Sequence, residues 1–255
     1  MGKVIVITSG KGGTGKTTTA INLGAAIRNF GKSVLIVDGN LSTPNIGIQL
    51  NSPEVPVNLN QVLSKRAKTH EAVYEHPSGL KIMPSSLSVK ELKMLAPEKL
   101  KDIKKDLEKL ADYVIIDSAA GLGKEAESAL KIADEIIVVA NPEVPSVTSA
   151  LKTVKLAEKL KKPVRGVLMT RIRKDQIEMR PEEVKDMLET EVLGMVPEED
   201  TIRKALNYKD SVINTQPKSK TSRAYKEIAS DMLGVEYDSS KDRPSIIERL
   251  LKRTS

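Results

Sequence analysis

The 255-residue chain predicts an α/β fold, a three-layer sandwich with a mostly parallel central sheet of about seven or eight strands and helices on both faces. Three observations carry that expectation. Short apolar, β-branched runs alternate with longer helical patterns along most of the chain. The runs show little period-2 alternation, as strands buried on both faces do. Regular strand–helix alternation without an internal repeat then selects the doubly wound arrangement.

The elements follow in order. Val4–Thr8 reads as the first strand, followed by a glycine-rich turn and a helical pattern over Lys16–Asn29. Val34–Asp38 and Leu80–Pro84 are the next strands, and one long helix is expected across Val89–Leu110. Tyr113–Asp117 precedes a helix over Lys124–Ile132, and Ile136–Ala140 precedes one over Ser146–Leu160. Val164–Thr170 leads to Pro181–Glu189, and Leu193–Pro197 leads to Ser222–Leu233. The expected domain therefore spans residues 1–235, followed by a polar linker at 236–243 and a tail at 244–255.

Composition narrows the function. Apolar residues at 39% and charged residues at 29% describe a globular chain. With no Cys, a disulfide framework, a thiolate zinc site, a Cys-ligated cluster and a Cys nucleophile are excluded. Only six residues are aromatic, which argues against base-stacking nucleic-acid platforms. The N-terminus lacks a cleavage-site pattern and no apolar run nears the ~20 residues of a spanning helix, so a cytosolic chain is expected. The net charge of +7 suits lipid or nucleic acid, or simply a solvated surface. His70 and His76 read as surface histidines, and Lys101, Lys104 and Lys105, interleaved with Asp102 and Asp106, as a solvated helix face.

The most specific motif is Gly10-Lys11-Gly12-Gly13-Thr14-Gly15-Lys16-Thr17, which satisfies G-x-x-x-x-G-K-[ST] between a strand and a helix. Glycines let backbone N–H groups curl round phosphate oxygens, and the start of a helix adds its positive dipole end. A lysine at position 16 neutralises β/γ-phosphate charge, and the Thr17 hydroxyl suits Mg²⁺. Tyr113-Val114-Ile115-Ile116-Asp117 delivers a carboxylate to the sheet edge where ligands bind in open α/β folds.

The second lysine inside the loop, Lys11, makes the sequence resemble the deviant Walker A ATPases of the MinD/ParA family, most like archaeal MinD-type members. Further matches are Asp38 at a strand end, Asp117-Ser118-Ala119-Ala120-Gly121, Asn141-Pro142-Glu143-Val144, Thr170-Arg171, and Pro197-Glu198-Glu199-Asp200. The resemblance spans about residues 1–235 and implies a P-loop NTPase fold with ATP/ADP and Mg²⁺ as cofactors. It implies phosphate contacts from Gly10 to Thr18, Mg²⁺ held at Thr17, Asp38 and Asp117, and Lys11 reaching a partner's nucleotide across an ATP-dependent homodimer. Catalysis would rest on Lys11, Lys16, Asp38 and Asn40. Thr170 and Arg171 match a base-binding turn, and Pro197, Glu198 and Glu199 a loop covering adenine. The absent cysteines exclude the cluster-carrying branches.

The sequence departs from the family at three points. Asn40 stands where many relatives carry a second aspartate; an amide accepts a hydrogen bond from water but cannot take its proton, so slow hydrolysis is expected. Asn40 also suits a cap on the following turn. Ala119 replaces a usual proline, and Thr170 an asparagine that relatives use for adenine.

The tail begins at Pro244, suited to a helix's first turn. Ile246, Ile247, Leu250 and Leu251 fall within one arc of about 140°, flanked by Arg249, Lys252 and Arg253. Such a helix suits an anionic membrane surface, and by resemblance a MinD-like targeting tail that works in pairs on a dimer. The implied function is a cytoplasmic ATPase cycling on the inner face of the membrane to position division or other polar machinery, with an unidentified activator or cargo protein. A DNA-partition ATPase and a nucleotide-gated scaffold with little turnover remain the alternatives.

Overall fold

The computed structural model describes all residues except 53, 93–95, 174, 176–177 and 244–255. The sheet grows outward from β1 (Lys3–Thr8), which pairs in parallel with β5 (Tyr113–Ser118) on one side and β6 (Glu135–Ala140) on the other. β5 carries β2 (Val34–Gly39), then β4 (Lys81–Met83) and a two-residue edge strand, β3 (Tyr74–Glu75). β6 carries β7 (Val164–Ile172) and then β8 (Val192–Pro197). The eight strands are parallel except at the β3–β4 pair.

Successive strand residues feed two separate cores, which is why the runs carry no visible alternation. Val4, Val6, Leu35, Val37, Val114 and Ile116 pack into one core under α5 (Leu100–Leu107), α6 (Lys124–Ile132), α7 (Val144–Lys159) and α8 (Pro181–Leu188). Ile5, Ile7, Ile36, Ile115 and Ile137 face the other, under α1 (Lys16–Asn29) and α11 (Lys220–Leu233). Each such side chain contributes about 1.5–3 kcal/mol on burial. Short helices decorate the strand ends: α2 (Ile46–Gln49), α3 (Leu59–Leu63), α4 (Val89–Leu92), α9 (Asp200–Asn207) and α10 (Val212–Thr215).

Four expectations are corrected. The long helix over 89–110 is instead α4, a 3₁₀ turn at Pro97–Lys99, and α5. Pro97 lacks an N–H and holds Ala96 at φ −132°, ψ 62°, outside the helical region. α7 begins at Val144 rather than Ser146, with Pro145 in its first turn. β7 runs on to Ile172, so Thr170 and Arg171 lie within a strand rather than in a turn after it. His76 is buried rather than on the surface: Nε2 lies 3.1 Å from the Lys209 carbonyl and Nδ1 lies 2.7 Å from Ser78 Oγ. His70 is exposed as expected.

Candidate functional site

The glycine-rich loop sits between central strand β1 and α1, at the point where the chain turns to opposite sides of the sheet. Its shape depends on missing side chains. A Cβ on Gly10 would lie 2.0 Å from the Ser149 carbonyl oxygen, so only glycine lets the loop pack on α7. Gly13 and Gly15 take φ of +80° and +92°, left-handed values that other residues adopt only under strain. Around Gly12 and Gly13 the space a Cβ would fill is empty, so the backbone is open on that side. The loop is fixed from behind: Ser9 Oγ donates to the Lys11 carbonyl at 2.7 Å, and Thr170 Oγ1 to the Thr14 carbonyl at 2.6 Å. Gly121 N donates to the Ser9 carbonyl at 2.9 Å, tying the segment after β5 to the loop.

Parallel register brings the carboxylates together. Asp38 and Asp117 are paired positions on β2 and β5, and Asp117 pairs with Ile7 just before the loop. Thr17 Oγ1 donates to Asp117 Oδ2 at 2.5 Å. Asp117 Oδ1 is buried with no hydrogen-bond donor among the described residues. A buried carboxylate oxygen left unpaired costs free energy, so this atom suits a cation or its water. Burial pushes the Asp117 carboxyl up to about 6, against the Thr17 hydrogen bond and the Lys16 charge that lower it. Lys16 is itself pushed down by burial, with Asp117 acting the other way. Buried charges of opposite sign packed this closely suit a site that receives a charged ligand.

Asp38 is held differently. It is fully buried, and its carboxylate accepts from the backbone N–H groups of Asn45 (2.8 Å), Ile46 (2.9 Å) and Asn40 (3.3 Å). Burial and the neighbouring Asp117 push its carboxyl well above the usual range. Asp38 thus organises residues 40–46 at the sheet edge. Asn40 closes the turn there, its Nδ2 donating to the Thr43 carbonyl at 2.6 Å while Oδ1 accepts from Thr43 Oγ1 at 3.1 Å. Lys11 is exposed on the loop.

Two hollows flank the start of α1. One, of about 350 Å³, is lined by Gly12, Gly13, Lys16, Thr17, Asn40 and Ala120. The other, about 700 Å³, is walled by Thr18, Val196, Ile202, Leu206 and Tyr225 with Glu198 and Glu199 at its rim. Gly15, Thr18 and Arg171 border both. Arg171 is placed there by a register shift between β7 and β8 and by its own φ of +55°. Pro197 ends β8, Glu198 accepts from Arg173 Nε at 2.5 Å, and Glu199 accepts from Thr221 N at 2.8 Å, so this loop is tied down on both sides. A larger hollow of about 870 Å³ lies elsewhere, between residues 62–71 and 99–110; its rim mixes both signs of charge and it contains no loop residue.

The sequence-predicted residues therefore converge, apart from the tail. Ile246, Ile247, Leu250 and Leu251 lie outside the described residues. Thr170 borders the wider hollow and also ties the loop, its hydroxyl donating to the Thr14 carbonyl with Asn141 Oδ1 3.0 Å away. Sequence reasoning missed Ile202, Leu206 and Tyr225 as walls of the wider hollow. Tyr225 alone carried a signal, as one of six aromatics in the chain.

The model of a family described as "AAA domain" matches residues 2–169 of this chain. An uncharacterized ATP-binding protein of Methanocaldococcus jannaschii is 35% identical over 99% of this chain and 96% of its own length. The septum site-determining protein MinD of Bacillus subtilis is 35% identical over 92% of this chain and 90% of its own. The chain belongs to the MinD/ParA family of ATPases. Among solved structures, MinD from Pyrococcus horikoshii OT3 complexed with Mg-ADP superposes with a TM-score of 0.86 at 31% identity, covering 91% of this chain and 96% of that one.

Proposed function

We propose that the chain binds Mg·ATP at the glycine-rich loop, closes as a face-to-face homodimer over two nucleotides, and hydrolyses ATP slowly. The observation that carries this reading is the Thr17–Asp117 hydrogen bond beside Lys16, with the Asp117 Oδ1 atom unpaired. Its cofactors are ATP/ADP and Mg²⁺. Backbone N–H groups from Gly10 to Thr18 hold the phosphates, and Lys16 neutralises their charge. Thr17 and Asp117 hold the metal, with Asp38 shaping the loop beside it. When bound, Mg²⁺ neutralises charge on the β- and γ-phosphate oxygens. The wider hollow takes the base, with Thr170 securing the loop behind it and Arg171, Pro197, Glu198 and Glu199 at its edge. Lys11, exposed on the loop, reaches the partner's nucleotide. Asn40 orients the attacking water with the one lone pair its Thr43 bond leaves on Oδ1, and it cannot accept the proton.

The output of the cycle is positional. Dimerisation pairs two C-terminal tails, so the weak individual affinity of Ile246, Ile247, Leu250 and Leu251 for an anionic membrane becomes avidity. Hydrolysis ends the dimer and returns the chain to the cytoplasm, where an activating or cargo protein sets the rhythm. Among the described residues no helix is long and apolar enough to cross a membrane.

The decisive experiment combines sedimentation velocity with single-turnover hydrolysis. Mg·ATP is expected to produce a dimer in the wild type and none in Lys11→Ala, and Asn40→Asp is expected to hydrolyse faster than wild type. A monomer in saturating Mg·ATP would overturn the dimer. No rate gain in Asn40→Asp would overturn the role of Asn40.

A further inference from the structure

The polar segment after α11 is anchored to the domain at Tyr237 and Asp242. Gly234 adopts φ +65°, ψ 33°, and Val235 N bonds back to the Ser230 carbonyl at 3.1 Å, reversing the chain in the pattern that ends many helices. Tyr237 then packs edge-on against Phe30, with ring centroids 5.8 Å apart. Its hydroxyl donates to Asp242 Oδ2 at 2.7 Å, and Lys226 Nζ donates to the same oxygen at 2.7 Å. Lys226 is 5% exposed. A lysine that deeply buried holds its charge only with a partner, and Asp242 is that partner. Burial works to raise the Asp242 carboxyl, but the Lys226 and Tyr237 hydrogen bonds win and hold it low. Between the two anchors Asp238 Oδ1 accepts from Ser240 N and Oγ, and Lys241 N bonds to the Asp238 carbonyl.

The other end of this assembly reaches the wider hollow. Thr221, in the first turn of α11, donates both its N–H and its hydroxyl to Glu199 at the rim. Tyr225 is buried, lines the hollow, and shares a 3.2 Å hydrogen bond with Thr19 of α1. Tyr225 and Lys226 are consecutive, so one residue of α11 walls the hollow and the next holds Asp242. Phe30, which receives Tyr237, caps the far end of the same α1 that begins at Lys16, about 20 Å away along the helix axis.

We propose that residues 235–243 form a clasp, latched by Lys226, Asp242 and Tyr237, whose hold on the domain strengthens when a nucleotide base fills the hollow against Tyr225. The proposal rests on the reading of that hollow as the base site. A base seated on Tyr225 orders the first turns of α11, and a clasp on Lys226 then loses less freedom on closing. Because coupling between sites is reciprocal, opening the clasp must weaken nucleotide binding by the factor by which nucleotide tightens the clasp.

The test is hydrogen exchange by mass spectrometry on the full chain, reading peptides across 234–243 with and without Mg·ADP. Binding of a fluorescent ADP is measured in parallel. Exchange in these peptides is expected to slow by about tenfold with Mg·ADP, and Asp242→Asn to speed it and weaken ADP binding by a matching factor. Tyr237→Phe, which keeps the ring on Phe30 and deletes one hydrogen bond, is expected to give a smaller change in the same directions and guards against misfolding of the first variant. Mg·ADP binding with unchanged exchange at 234–243 would overturn the coupling. Unchanged exchange in both variants would overturn the clasp. Failure of ADP to bind would overturn the base-site reading beneath them.

Discussion

Replacing Thr170 by valine separates two roles for one residue. Valine keeps the β-branched shape that suits strand β7 and removes only the hydroxyl. That hydroxyl lies 2.6 Å from the Thr14 carbonyl and 3.0 Å from Asn141 Oδ1, in a position 4% exposed. Its loss leaves the buried Thr14 carbonyl without its donor. Stranding such a group costs about 1–3 kcal/mol, and a chain of this size loses about 2–4 °C in Tm per kcal/mol, so a fall of about 2–12 °C is expected. The freed Thr14 carbonyl also loosens the loop that cradles phosphate. The defect should therefore appear equally for any phosphate ligand. Calorimetric titration with Mg·ADP and with Mg·pyrophosphate checks this, beside a thermal melt. Equal loss for both ligands is expected. A selective loss for ADP would return Thr170 to a base-reading role, and a Tm unchanged within about 1 °C would refute the hydrogen-bond reasoning.

Further expectations concern the charges and the tail. Burial raises the Asp117 carboxyl from 3.8 to about 6, so without ligand its ionised form opposes folding above pH 6 and that penalty is relieved as pH falls towards 3.8. Asp38 is raised in the same sense, so the ligand-free protein should gain Tm between pH 7.5 and 5, and gain less in Asp117→Asn; a melt that falls over this window would contradict the assignment. In ADP titrations with and without Mg²⁺, Asp117→Asn is expected to lose most of the metal's contribution, with wild-type sensitivity to Mg²⁺ as the disproof. Co-sedimentation with anionic liposomes in Mg·ATP should need the tail, and the informative truncation ends after Arg243, because a shorter chain would also strip Asp242 from buried Lys226. Equal pelleting of the full chain and that truncation would remove the membrane role.

How far the sequence speaks differs from one residue to the next. The loop from Gly10 to Thr17 was legible because glycine and lysine recur in it at fixed spacing, although the need for glycine at position 10 comes from α7 packed against it. Asp117 was legible because four apolar residues lead to one carboxylate. Pro97 carried a legible signal as well, and the broken helix over 89–110 follows from its missing N–H. Tyr225, Ile202 and Leu206 were not legible as walls of one hollow, because they come from α9 and α11 and meet only in the folded chain. Asp38 carried a signal for its position but none for its three backbone donors, which depend on how residues 40–46 turn.

By itself the sequence determined the buried parallel sheet, the phosphate loop and the family, since each rests on local pattern: apolar runs, glycines where no Cβ fits, a carboxylate at a strand end. Only the tertiary structure decided what the polar atoms do. Parallel register set Asp38 beside Asp117, Thr170 was committed to the loop rather than left free, and a segment that reads as a polar linker was latched to buried Lys226. The physical reason is range. A strand or a glycine turn is fixed by neighbours in the chain, whereas a buried hydroxyl, carboxylate or ammonium takes whichever partner folding brings within hydrogen-bond distance, as Thr19 and Tyr225 do across 206 residues.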